Sequence, residues 1–252
     1  MGMEAVYGER TMLLAFFLEP VKLGPMIHHR RLPAVLLLTA VCGLPMTSRA
    51  KDLPDPFAQW EEAIASLETK DKKSPPPKNA VLFVGSSSIR MWDLPKSFPE
   101  EKTINRGFGG SQIADSTHFA ARLIFPYHPR QIIFYAGDND LAKGKSAEEV
   151  AADFDAFVKT VRKGLPDVPI AYIAVKPSIA RWKLWPIIQD ANARIRGRCE
   201  KDATLTFIDI APPMLGDDGL PKKELFLDDG LHMNPTGYAL WNEAVRKILV
   251  PE

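Results

Sequence analysis

The feature of this sequence that most limits its fold is the way its apolar runs end. Ala80-Val81-Leu82-Phe83-Val84 contains no polar residue and stops at Gly85. Gln131-Ile132-Ile133-Phe134-Tyr135 stops at Ala136-Gly137, Ile170 to Val175 at Lys176-Pro177, and Leu205-Thr206-Phe207-Ile208 at Asp209. Thr103-Ile104-Asn105 is a shorter run before Gly107. A strand with one face in water alternates apolar and polar residues. A continuous run suits a strand covered on both faces, as in a parallel sheet between helices. Amphipathic stretches separate the runs: Trp60, Ile64 and Leu67 recur at helical intervals within Phe57 to Leu67, and Ile113 to Leu123, Ala147 to Leu165 and Ile187 to Cys199 behave likewise. A last helix is expected over Pro235 to Leu249, with Asn234 as N-cap and Pro235 in its first turn. This alternation predicts an α/β fold, a three-layer α/β/α sandwich with a mostly parallel sheet, in one domain over residues 51–252. Asp71 to Lys78, with its three consecutive prolines, is the expected linker between the first helix and the first strand.

Residues 1–50 follow another logic. From Met26, Met-Ile-His-His-Arg-Arg leads into an apolar stretch from Leu32 to Leu44 and then Ser48-Arg49-Ala50. A basic segment, a short apolar core and a small-x-small site mark a cleaved signal peptide, so cleavage after Ala50 and a secreted or periplasmic product are expected. The apolar stretch is short for a bilayer-spanning helix, and no stable membrane span is expected after cleavage. An N-terminal anchor or amphipathic arm is the alternative, and both Met1 and Met26 stand as starts. Loss of Cys42 with the signal leaves Cys199 as the sole cysteine and excludes an internal disulfide. The formal net charge of +1 supplies no basic field for nucleic acid. No Cys/His cluster has zinc spacing, and no metal or cofactor is expected.

Ligands of open parallel sheets bind beyond the carboxyl ends of the strands, where the strand order switches. Small polar turns stand at those ends here: Gly85-Ser86-Ser87-Ser88, Gly107-Phe108-Gly109-Gly110 and Gly137-Asp138-Asn139-Asp140, with Asp229-Gly230-Leu231-His232 just before the last helix. A nucleophile, hydrogen-bond donors and an acid–base pair can therefore meet at one rim. Taken singly, each turn has an ordinary structural explanation. The serines serve as turn residues or caps, Asp229 and Asn234 as caps, Asn139 as a left-handed turn residue and the glycines as a bare loop.

Taken together and in order, these blocks resemble the SGNH (GDSL-type) hydrolase family. Gly85-Ser86-Ser87 corresponds to the family's Gly-Asp-Ser, Gly110 to the glycine of the second block, Gly137-Asp138-Asn139-Asp140 to Gly-x-Asn-Asp, and Asp229-Gly230-Leu231-His232 to Asp-x-x-His. The resemblance implies a flavodoxin-like five-stranded sheet with Ser87 as nucleophile, His232 as general base and Asp229 as the acid that orients it. It also implies an oxyanion hole made of the backbone N–H groups of Ser87 and Gly110 and the side-chain amide of Asn139. Those residue types suit the chemistry. A serine hydroxyl needs a base to take its proton, imidazole titrates near neutral pH, and a carboxylate holds the imidazole tautomer. The chain departs from the family at Ser86, where the first block has aspartate; Ser86 is expected to hydrogen-bond within the turn. Arg181 and Trp182, with Trp185, follow the fourth run and are candidates to line an acyl or sugar pocket, or else pack a structural loop. Arg90 and Trp92, after the nucleophile turn, carry the same two readings. His28, His29, His118 and His128 are given no role.

The expected activity is that of a serine esterase hydrolysing carboxylic esters through an acyl-enzyme. The resemblance allows small-molecule, lipid (including lysophospholipid) and acylated-carbohydrate esters. The lack of a long hydrophobic lid beside the site favours short acyl groups. A catalytically inactive carbohydrate- or lipid-binding module on the same fold is the alternative. A nucleotide binder is disfavoured, because the second block lacks the Gly-x-Gly-x-x-Gly pattern.

Overall fold

The apolar runs form an all-parallel five-stranded sheet in a computed structural model that describes residues 55–251. Strands β1 (Val81–Gly85), β2 (Thr103–Gly107), β3 (Gln131–Tyr135), β4 (Ile170–Ile173) and β5 (Leu205–Ile208) lie in the order β2-β1-β3-β4-β5. The helices are α1 (Glu61–Lys73), α2 (Ser87–Arg90), α3 (Leu94–Ser97), α4 (Ile113–His118), α5 (Ala120–Leu123), α6 (Asp138–Ala142), α7 (Ala147–Gly164), α8 (Trp185–Cys199), α9 (Ala211–Met214) and α10 (Pro235–Arg246). This is the expected three-layer α/β/α sandwich. Its strand order is the flavodoxin-like one, which puts the switch point between β1 and β3.

Successive side chains of a strand point to opposite faces, and each run therefore feeds two cores. Leu82, Val84, Ile132, Phe134 and Tyr172 pack with Ile64 of α1, Phe154 and Phe157 of α7 and Ile188 of α8. Val81, Phe83, Ile133, Tyr135 and Ile173 face the other way, against Trp92, Phe98 and the Trp241 and Val245 of α10. Every residue of β1, β3 and β4 is buried, whereas the edge strands β2 and β5 are only partly so. Full burial of a side chain such as Leu82 or Phe134 contributes about 1.5–3 kcal/mol.

Two elements differ from their sequence expectation. The helix expected over Ile113 to Leu123 breaks into α4 and α5 at Phe119, whose ring packs edge-on against Phe57 and Phe108. Helix α1 runs on into the expected linker, to Lys73. The extra turn carries Asp71, which lies 2.5 Å from both Arg106 Nη2 and the Tyr127 hydroxyl. Asn234 caps α10 as expected, its Oδ1 accepting from Thr236 N at 2.9 Å and Gly237 N at 3.1 Å. Cys199 is buried and unpaired, and burial pushes its thiol up to about 11. No helix among the described residues is long and apolar enough to cross a membrane. The expected signal segment, residues 1–50, lies outside the described residues.

Candidate active site

Strands β1, β2 and β3 end at one level, since Gly85 pairs with Gly107 on one side and with Tyr135 on the other. The chain turns sharply as it leaves β1. Gly85 has φ +143°, and a Cβ there would lie 1.9 Å from the Tyr135 carbonyl oxygen, so no other residue fits. Ser86 N donates to that oxygen at 3.1 Å, and Ser86 O accepts from Ile89 N and Arg90 N as the chain enters α2. Asn105 braces the turn from β2: its Nδ2 donates to Ile89 O at 2.7 Å and Trp92 O at 3.3 Å, and its Oδ1 accepts from Gly107 N at 2.9 Å.

The Ser86 side chain does not behave as expected. Its hydroxyl is buried and has no hydrogen-bond partner among the described residues. A serine oxygen sits one bond closer to the backbone than a carboxylate oxygen. The turn is held by main-chain groups and by Asn105 instead.

Ser87 opens α2, half-buried. Its Oγ lies 3.0 Å from His232 Nε2, and His232 Nδ1 lies 2.6 Å from Asp229 Oδ2. Asp229 accepts, so Nδ1 carries the proton and Nε2 is free to accept from the Ser87 hydroxyl. The other oxygen of Asp229 accepts from Leu231 N and His232 N, both at 2.9 Å. The hydrogen bond from His232, then these backbone N–H groups, hold the Asp229 carboxyl down to about 2 despite the opposing effect of burial. The structure thus brings together the three side chains expected as a triad, Ser87, His232 and Asp229.

Gly110 is exposed at the rim with φ +81°. Among the described residues neither the Ser87 nor the Gly110 N–H is engaged by an acceptor. Asn139 stands in the first turn of α6; Gly137, not Asn139, takes the left-handed conformation, at φ +117°. The Asn139 amide is fixed at both ends: Nδ2 donates to Ser111 O at 3.0 Å and Oδ1 accepts from Arg181 Nη2 at 2.8 Å. A carbonyl can only accept and a guanidinium can only donate, so the amide has one orientation, with one N–H left over. Asp140 ties the same two blocks together, accepting from Ile113 N at 3.3 Å and from Lys145 Nζ at 3.0 Å.

Behind Asn139 lies a buried ionic cluster that the sequence reading missed. Lys176 and Asp138 are almost fully buried, with Nζ 3.2 Å from Asp138 Oδ2 and 3.1 Å from the Tyr135 hydroxyl. Arg181 Nη1 approaches Asp138 Oδ2 at 3.0 Å, in an ion pair whose N–H directions miss the oxygen. Burial favours the neutral carboxyl of Asp138, but Lys176 and Arg181 outweigh it and hold that group below its ordinary value. Burial also lowers Lys176. A charged Lys176 closing an apolar run was the one sequence signal for this cluster. Of the expected pocket residues, Arg181 thus turns inward, while Trp182 stacks on Trp185 with centroids 5.5 Å apart. Trp92 is a core residue, its Nε1 donating to Asn242 Oδ1 at 2.8 Å. His118 stacks on Phe57. Among the described residues no group of His, Cys, Asp and Glu is arranged to hold a metal.

A flavodoxin-ordered α/β/α sandwich with a Ser–His–Asp chain at its switch point defines the SGNH class of hydrolase fold. The chain belongs to the GDSL-like lipase/acylhydrolase family, whose sequence profile matches residues 88–240, beginning one residue after Ser87. Solved structures agree in fold. A GDSL-like lipase from Bacteroides thetaiotaomicron is similar with a TM-score of 0.62 at 18% identity, covering 73% of this chain and 95% of its own. A lipase/acylhydrolase from Enterococcus faecalis has a TM-score of 0.53 at 16% identity (67% and 94% covered). A carbohydrate esterase family 3 protein from Talaromyces cellulolyticus has a TM-score of 0.51 at 18% identity (66% and 94% covered). Among curated proteins none matches the sequence significantly.

Proposed function

We propose that this chain hydrolyses carboxylic esters through an acyl-enzyme on Ser87. The observation that carries the reading is the unbroken chain Ser87 Oγ–His232 Nε2–His232 Nδ1–Asp229, at 3.0 and 2.6 Å. As Ser87 Oγ attacks the ester carbonyl, His232 Nε2 takes its proton and Asp229 stabilises the imidazolium. The carbonyl electrons move onto oxygen, which the N–H groups of Ser87, Gly110 and Asn139 receive; one such donor lowers the barrier by about 3 kcal/mol. Collapse of the intermediate expels the alcohol, which leaves with the proton from His232. Water then attacks the acyl-serine by the same route and frees the acid. The inactive-receptor alternative does not explain a nucleophile and base at reaction distance.

The acid side of the site is open, with the Asp229 side chain 47% exposed. That supports small or soluble esters with short acyl groups, and the lipase and carbohydrate esterase among the similar structures bracket the chemistry. Export after cleavage at Ala50 rests on the N-terminal sequence and is tested by N-terminal sequencing of protein from its native host. For the reaction itself, a fluorophosphonate probe should label Ser87, as read by mass spectrometry, and Ser87→Ala should lose both the label and ester turnover while keeping its circular dichroism. An adduct on Ser86 or Ser88, or none on any of the three, would overturn the reading.

A further inference from the structure

We propose that Arg181 is a positioning residue that orients and polarises the oxyanion-hole amide of Asn139 from within a buried Lys176–Asp138 support. The inference rests on the esterase reading and goes beyond it. Without Arg181 only the Nδ2 bond to Ser111 O opposes a half-turn of the Asn139 amide that would present oxygen to an oxyanion. With Arg181, rotation would set an NH2 group against a guanidinium at 2.8 Å and lose the Ser111 bond as well. The guanidinium also draws electron density toward Oδ1, which makes the remaining Nδ2–H a better donor to developing negative charge.

The Arg181 guanidinium is directed inward, its side chain 17% exposed. Its Nη1 is buried without a hydrogen-bond partner among the described residues and faces Asp138, and its Nη2 is committed to Asn139. The support beneath it is built for the purpose of holding charge: Asp138 is shared between Lys176 and Arg181, so the guanidinium is anchored without being fully neutralised. The segment that carries both cations, residues 176–181, also reaches the other half of the site. Ala180 N donates to Gly230 O at 3.0 Å, between Asp229 and Leu231. One short segment therefore sets the spacing of the oxyanion donor relative to the acid–base loop.

The test uses the purified protein and p-nitrophenyl acetate. Arg181→Met and Arg181→Gln should lower kcat on the order of tenfold or more, with KM changed by less than about threefold, because the lost interaction acts in the transition state. Arg181→Lys, which restores a cation, should recover part of the loss. A residue acting through Asn139 cannot add to its removal, so the Arg181→Met/Asn139→Ala double variant should match Asn139→Ala within about threefold. A wild-type kcat in Arg181→Gln, a raised KM at unchanged kcat, or a double variant in which the two losses multiply would overturn the proposal. If Arg181→Met fails to fold by circular dichroism, the glutamine variant decides alone. Failure of the esterase reading looks different: the wild-type chain would itself neither turn over the ester nor take a fluorophosphonate on Ser87.

Discussion

Asp229 and His232 meet across one exposed loop, three positions apart, whereas Asn139 is held by Ser111 and Arg181, 28 and 42 positions away. The first half of the site is secured by its own backbone, through the N–H groups of Leu231 and His232. The second is secured by the interior, through Asp138, Lys176 and Tyr135. The contrast teaches that the proposed base and the proposed oxyanion donor are held by different means, local backbone for one and buried charge for the other, with the Ala180–Gly230 hydrogen bond as the link between them.

The largest effects should come from the local half. His232→Ala should lower kcat by about 10⁴-fold or more and abolish fluorophosphonate labelling, read by stopped assays and mass spectrometry. The interior half should cost less: Asn139→Ala should lower kcat by about 10²–10³-fold with little change in KM. A smaller separation should appear in acid. The folded carboxyl of Asp229 lies near 2, below its ordinary value, so its contribution to stability is fully present above about pH 4 and is lost as pH falls toward 2. Melting temperatures of the wild type and Asp229→Asn should therefore differ near neutral pH and converge near pH 2. Ser86→Ala should be the mildest change. It removes a buried, unpartnered hydroxyl, and stability should stay within about 1 kcal/mol of wild type or rise. A marked loss of activity in that variant would give Ser86 a part in the nucleophile turn that its geometry does not show.

The same contrast decides what could be read from the sequence. The strands were legible because β1, β3 and β4 are covered on both faces and so read as continuous apolar runs. The proposed triad stood out in the sequence because Asp229 and His232 lie three residues apart and Ser87 follows a strand-ending glycine. Arg181 was visible only as a residue near the rim. No spacing rule relates it to Asn139, since the pairing exists only once β3 and β4 are side by side. Asn105 was visible as part of a block but not as a brace, because its partners Ile89 and Trp92 belong to the neighbouring turn. The break at Phe119 was hidden because an aromatic ring fits a helical stripe as well as a turn into the core.

Asn234 does two things at once. Its Oδ1 caps α10, and its Nδ2 donates to Glu224 O at 2.8 Å and Phe226 O at 3.2 Å, fastening the start of the loop that carries Asp229 and His232. Fraying of the first turn of the last helix would therefore also loosen the start of that loop, a local opening that leaves the sheet intact. On heating, ester turnover should fade before the far-ultraviolet signal of the sheet does, and the useful lifetime of the protein at temperature is then shorter than the lifetime of its fold.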